Sequence, residues 1–316
     1  MVTKDACLDK LPSQKIYAAF EQNNGGKQQC KERNSVTKDI ENILKDKLNQ
    51  HWKNDEKKCA KKITEVWCDV SELTSKKQAC TVICDFFYLW LHNKLSNILG
   101  PFISVENTMR DIYTKLEGRS SGNQCSYETT RGNNGENFLQ WRKLIFDYYY
   151  DYRTIWNKLK DCRPPECSCK RKYDGYLNGA KSAYSQVEAN CGSELHSNDA
   201  FCTKFWNKKF QQSGSDGDGG RNPIPKPGDL KNKAMRGESP SSPPGEEGDE
   251  EEHLRSCLEQ LSAASIASSE HTSTDQLPQV EGGGSGVAPI VSSTVATLVG
   301  LPAVAFFLYK VYNYNL

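Results

Sequence analysis

Cysteines are the residues best equipped for chemistry in this 316-residue chain, which holds thirteen of them. Twelve fall within residues 1–212: Cys7, Cys30, Cys59, Cys68, Cys80, Cys84, Cys125, Cys162, Cys167, Cys169, Cys191 and Cys202. Cys257 stands apart. A thiol can be a metal ligand, a nucleophile, a redox partner or half of a disulfide. An even, dense set in one region favours structural disulfides formed in an oxidising compartment, with buried thiols in a reducing compartment as the alternative. Spacing does not specify the pairing.

The cluster Cys162-x4-Cys167-x-Cys169 is the one local constellation that resembles a metal site. Zinc takes four ligands in a tetrahedron, commonly as two Cys-x-x-Cys-like pairs, and here a further ligand would have to come from a distant segment. Structural disulfides fit the cluster better, and no metal or other cofactor is expected. Cys80 and Cys84 lie one turn apart on one helical face. Each is expected to staple to a different neighbouring helix rather than to form a reactive pair. The histidines His51, His92, His196, His253 and His271 are scattered, without a His-Glu-x-x-His arrangement. No glycine-rich phosphate loop follows a strand, and no Gly-x-Ser-x-Gly elbow is present. With 26% of residues charged, some paired carboxylates are inevitable. No catalytic residue is nominated, and the chain is not read as an enzyme.

The elements that must position these cysteines read as helices. Val36, Ile40, Ile43, Leu44 and Leu48 recur at the spacing of one helical face, and Ile63, Val66, Trp67 and Val70 continue the pattern in a second helix. A third, around residues 76–99, is apolar on most sides (Val82, Ile83, Phe86, Phe87, Leu89, Trp90, Leu91, Leu95) and reads as the central helix. Gly100-Pro101 ends it, and Ser104 is placed to cap the next, whose buried face is Val105, Met109, Ile112 and Leu116. Residues 118–135 are rich in Gly, Ser and Asn and read as an exposed loop pinned by Cys125. A long aromatic helix follows over 136–160, with Phe138, Trp141, Ile145, Tyr148, Tyr152, Ile155 and Trp156. Two shorter helices, near 173–189 and 197–210, complete an all-α head of residues 1–212.

Charge divides the chain. Residues 1–212 carry 34 Lys and Arg against 26 Asp and Glu, a net of +8, whereas residues 213–286 carry six basic against fourteen acidic side chains, a net of −8. The second stretch is dominated by Gly, Pro, Ser and acidic residues, too poor in apolar surface to offset the entropy of ordering, and reads as a disordered linker with room for a short helix at 250–265. From Val287 to Leu308 runs a 22-residue stretch with no charge, long enough to span a bilayer. Residues 287–308 are therefore expected to be a single transmembrane helix in the lipid bilayer, followed by a short tail at 309–316. Lys310 beyond it, with Asp275 and Glu281 before it, favours a cytoplasmic tail and an external head. The opening residues lack the apolar core of a cleaved signal peptide. Nucleic acid is not an expected partner. The lysines of the head are spread over every helix, and Phe86-Phe87-Tyr88 and Tyr148-Tyr149-Tyr150 fall where core packing, not base stacking, claims them. None of the 22 asparagines begins an Asn-x-Ser/Thr sequon, a trait of lineages that use little N-glycosylation.

The opening Cys7-Leu8-Asp9-Lys10-Leu11-Pro12-Ser13-Gln14-Lys15-Ile16-Tyr17 resembles the start of the Plasmodium interspersed repeat proteins, the KIR and VIR variant antigens of malaria parasites. The aromatic helix from Cys80 to Leu95 is similar to that family's core segment. The Gly/Ser/Pro/Glu stalk and the terminal Gly300-Leu301-Pro302-Ala303 and Phe306-Phe307-Leu308-Tyr309-Lys310 resemble it too. The resemblance covers essentially the whole chain. It implies a single-pass protein exported to the infected erythrocyte membrane or other exported membranes, without enzymatic activity, acting in antigenic variation, adhesion or immune evasion. A host receptor or antibody is the implied partner. Contact is expected at loop 118–135 and on the surface of the long aromatic helix. A tail-anchored scaffold with a cytosolic head and reduced thiols is the competing reading. The tail after Val311 is shorter than the family pattern.

Overall fold

The computed structural model describes residues 6–22, 32–48, 55–75, 80–99, 102–117, 125–126, 136–162, 168–193, 199–211, 224–238 and 252–261. Among them every regular element is helical. After a 3-10 turn at Leu8–Lys10 come α1 (Pro12–Gln22), α2 (Arg33–Lys47), α3 (Asp55–Ser75), α4 (Val82–Ile98) and α5 (Val105–Glu117). The long α6 (Glu136–Lys160) and α7 (Lys170–Cys191) follow, then a π-helix (Phe201–Gln211) and α8 (Pro227–Met235). Residues 252–261 form a last helix, α9. The expected membrane span at 287–308 and tail at 309–316 lie outside the described residues. Among those described, no helix is long and apolar enough to cross a membrane.

Local sequence accounts for the helix ends. Ser104 caps α5 as its position predicts, its Oγ accepting a hydrogen bond from the Asn107 amide at 3.2 Å. The predicted face of α5, Val105, Met109, Ile112 and Leu116, is buried. Pro227 opens α8, where a missing amide hydrogen is harmless. Gly237 closes it in the left-handed region at φ +70°, while the Gly237 and Glu238 amides donate to the carbonyls of Ala234 and Lys233.

Two hydrophobic cores result. The first gathers α1–α5 and α9 around Phe86, Phe87, Trp90 and Trp67. The second gathers α6, α7, the π-helix and α8 around Trp156, Tyr148, Tyr173 and Trp206. Each thus has its own central helix, α4 in one and α6 in the other. Tyr150, Phe201 and Phe205 pack against both. Helix α1 lies across the seam, with Ile16 and Phe20 in the first core and Leu11 just before it in the second.

The stretch read as a linker, 213–286, requires correction. Within it α8 packs on α6 and α7, and α9 buries Leu254, Cys257 and Leu261 in the first core. The short helix allowed at 250–265 is present at 252–261, whereas average composition concealed α8 and the apolar faces that dock both helices. Leu230 with Ala234, and Leu254 with Cys257 and Leu261, each recur at helical spacing on one face. The remainder of 213–286 lies outside the described residues.

Candidate functional site

The cysteines form a frame around these helices. Cys7 is bonded to Cys169, joining the N-terminal turn to the start of α7, and Cys191 to Cys202, joining the end of α7 to the π-helix. Cys84 on α4 is bonded to Cys125 in the Gly/Ser/Asn-rich loop, and Cys80 to Cys257 on α9. Cys68 and Cys162 are disulfide-bonded as well. Cys30 and Cys167 lie outside the described residues. Two expectations are corrected. Cys257 is part of the frame although it belongs to the acidic stretch, and Cys59 is a buried thiol near the start of α3. Counting cysteines by region misassigned the odd one because α9 folds back onto the head.

Beneath the frame, Asp147 and Asp151 sit one turn apart on α6 and are both buried. Asp151 accepts hydrogen bonds from the Ser13 amide at 2.9 Å, the Ser13 hydroxyl at 2.6 Å and the Tyr176 hydroxyl at 2.8 Å. Asp147 accepts from the Tyr17 hydroxyl at 2.7 Å and from Lys143 Nζ at 2.5 Å, with the Lys143 ammonium also over the Tyr17 ring. Burial, and then the neighbouring Asp147, push the Asp151 carboxyl up to about 7, against the pull of its hydrogen bonds. Burial also raises Asp147, opposed by Lys143 and Tyr17. These oxygens are enclosed and engaged by α1 and α7. Their chemistry is to clasp three helices in one register.

A second buried polar contact lies further toward the start of α6. Arg142 pairs with Asp199, and its guanidinium stacks over Phe138 at 4.2 Å and Phe201 at 5.1 Å. The same Asp199 receives the Phe201 and Cys202 amides on Oδ1, capping the π-helix. Burial lowers the Arg142 pKa while Asp199 holds it up. Neither this pair nor the carboxylate clasp was foreseen. The signal was present as the i, i+4, i+8 row Lys143, Asp147 and Asp151 on an otherwise aromatic face of α6.

A family model described as Plasmodium vivax Vir protein matches residues 11–312. The chain belongs to the Vir family. No curated protein and no solved structure matches it. Vir membership points to a variant antigen of Plasmodium. It also gives the architecture a context: a cysteine-framed helical head whose interior is closed by apolar and polar seams.

The expected contact surfaces are loop 118–135 and the surface of the long aromatic helix. On that helix, α6, from Phe138 onward, Asn157, Lys158 and Lys160 are exposed and the remaining residues are buried or half-buried. Its rings are consumed in packing, as with Phe146 against Phe86 at 4.8 Å and Tyr149 against Phe205 at 5.4 Å. Of loop 118–135, only Cys125 and Ser126 are described, the first buried and the second exposed. Phe102, in the short connection between α4 and α5, is fully exposed.

Proposed function

We propose that this Vir chain is a variant surface antigen displayed on, or exported to, infected red-cell membranes, acting by binding in adhesion or immune evasion rather than by catalysis. In this reading residues 287–308 anchor it in the lipid bilayer and the head faces a host receptor or antibody. The observation that carries it is the Cys84–Cys125 bridge. It ties the Gly/Ser/Asn-rich loop to α4, the central helix of the first core, so loop residues can change while the attachment point stays fixed. The buried acids of α6 support binding over catalysis, because they are turned inward and saturated by α1 and α7.

Surface proteolysis of intact infected red cells, with a tag inserted before Val36, tests this. Loss of the tag without permeabilisation is the expected result. A tag protected until the membrane is permeabilised would overturn display and support the internal scaffold.

A further inference from the structure

Helix α9 brings a third metal-ligating side chain to one bridge of the frame. His253 and Cys257 are four residues apart, hence on one face of α9, and Cys80 stands just before α4. The two sulfurs and an imidazole nitrogen all lie within 4.8 Å of one another. Cys80 and Cys257 are buried and His253 is half-buried. Among the described residues this is the only such group of three. Reduction of the Cys7–Cys169, Cys84–Cys125 or Cys191–Cys202 bridges would release thiol pairs without that third ligand. A buried pair of soft thiolates with one imidazole is a donor set that favours zinc over oxygen-seeking calcium or magnesium.

We propose that Cys80, His253 and Cys257 form a zinc site when their bridge is reduced, so that α9 is held to α4 by a disulfide under oxidising conditions and by zinc under reducing ones. The reductant is a low-molecular-weight thiol of the glutathione class. Two such thiols give up two electrons and two protons, the Cys80–Cys257 bond breaks to two thiols, and the reductant leaves as its own disulfide. Zinc then displaces both thiol protons to solvent and binds two thiolates and a neutral imidazole, leaving its fourth position to water. Tetrahedral zinc with sulfur at about 2.3 Å and nitrogen at about 2.0 Å sets its ligands roughly 3.3–3.8 Å apart. The sulfurs must therefore part from bonding distance to that spacing, while the imidazole already lies within 4.8 Å of both. The outcome is that α9 stays docked in compartments of either redox poise. This site does not depend on which way the head faces, so its test and the proteolysis test fail independently.

Cobalt(II) is the probe, because thiolate-to-cobalt charge transfer and tetrahedral d–d bands report the ligand set directly. The purified full chain, reduced with a phosphine, is titrated beside H253A and the double variant C80S/C257S. The wild type is expected to take up one more cobalt per chain than C80S/C257S, and H253A to bind that metal at least tenfold more weakly. Equal uptake by the wild type and C80S/C257S, or an unchanged affinity in H253A, would overturn the site. Should C80S/C257S fail to fold, alkylation decides on the wild type and H253A alone. Zinc is expected to shield Cys80 and Cys257 from iodoacetamide in the reduced wild type and not in H253A. Equal labelling of those two cysteines in both proteins, with zinc present, would refute the proposal.

Discussion

The α1–α5 half and the α6–α8 half of the head are sealed in different ways. The first is knit by ring contacts, with Phe87 against Trp67, Trp90 and Tyr113. Its buried hydroxyls at Thr64, Thr74 and Thr108 donate to carbonyls of their own helices or cap. The second encloses charged groups, Arg142 with Asp199 and the Lys143–Asp147–Asp151 row, which between them reach the cap of the π-helix, α1 and α7. Apolar contacts tolerate small slips, whereas a buried carboxylate left without its donors loses its whole compensation for desolvation. The first half holds such a carboxylate too, Glu65 paired with Arg33 between α3 and α2, beside its ring contacts, and the second gains a unique register for α1 and α7 on α6.

The largest effects are expected where the halves meet. Phe86 is fully buried and touches Tyr17 of α1 and both Phe146 and Tyr150 of α6. Phe86→Ala should lower unfolding stability by about 3–5 kcal/mol in urea titrations. A loss below about 1 kcal/mol would mean that the polar clasp alone joins the halves. Within the second half, Arg142→Met leaves Asp199 buried beside an apolar chain and should cost about 3–5 kcal/mol. Adding Asp199→Leu should recover much of that loss, because removing both charges removes the desolvation penalty too. No recovery would show that the capping of the π-helix by Asp199 outweighs its pairing with Arg142.

This division was only half readable from the sequence. The packed faces of α2, α3 and α5 follow from helical periodicity, and the apolar residues named from that spacing are buried except Ile43, which is half-buried. Periodicity works for α2 and α5 because their buried faces are almost wholly apolar, whereas α3 also buries Glu56, Glu65 and Asp69, which it does not signal. It says nothing of Asp147 and Asp151, which occupy core positions on α6 and look like solvent-facing acids until Ser13, Tyr17 and Tyr176 are brought to them from more than twenty residues away in sequence. The same blindness to distant partners hid Cys257 behind an acidic composition. For α8 a local signal existed: Pro227 at the start and Gly237 at the end bracket a short helix, with Leu230 and Ala234 on one face.

The two interiors should also answer pH with opposite signs. Burial lowers His92 on α4 to about 4, below its ordinary value of 6.5, so the folded state resists protonation that the unfolded chain accepts. Its contribution is complete above pH 6.5 and is lost as pH falls toward 4. Asp151 runs the other way: its folded value, raised to about 7 from 3.8, makes its contribution complete below pH 3.8 and lost as pH rises through 7. Each unit of difference is worth about 1.4 kcal/mol, so either group can tilt the profile by a few kcal/mol at the order-of-magnitude level. Urea midpoints between pH 4 and pH 8 separate them. Asp151→Asn should gain on the wild type as pH rises, and His92→Leu should gain as pH falls. Parallel profiles for the wild type and Asp151→Asn would remove the raised carboxyl from the account of the second half.

The smallest effect concerns how each half retains its helix from the acidic stretch. Helix α9 is held by a covalent bond to Cys80. Helix α8 is held by burial of Leu230, by the Tyr148 hydroxyl on the Pro225 carbonyl and by a Lys231–Asp174 ion pair at 2.8 Å. It must therefore carry its own termination signal. Gly237 supplies it, and a side chain there would meet no atom within 4 Å, so Gly237→Ala tests backbone conformation alone. The strain of a left-handed alanine should cost about 1 kcal/mol. Hydrogen exchange should show it as faster opening of the α8 amides, with those of α9 unchanged because the bridge, not a cap, fixes that helix. Equal acceleration in both helices would mean that α8 and α9 open as one unit, and that the disulfide does not set the two halves apart.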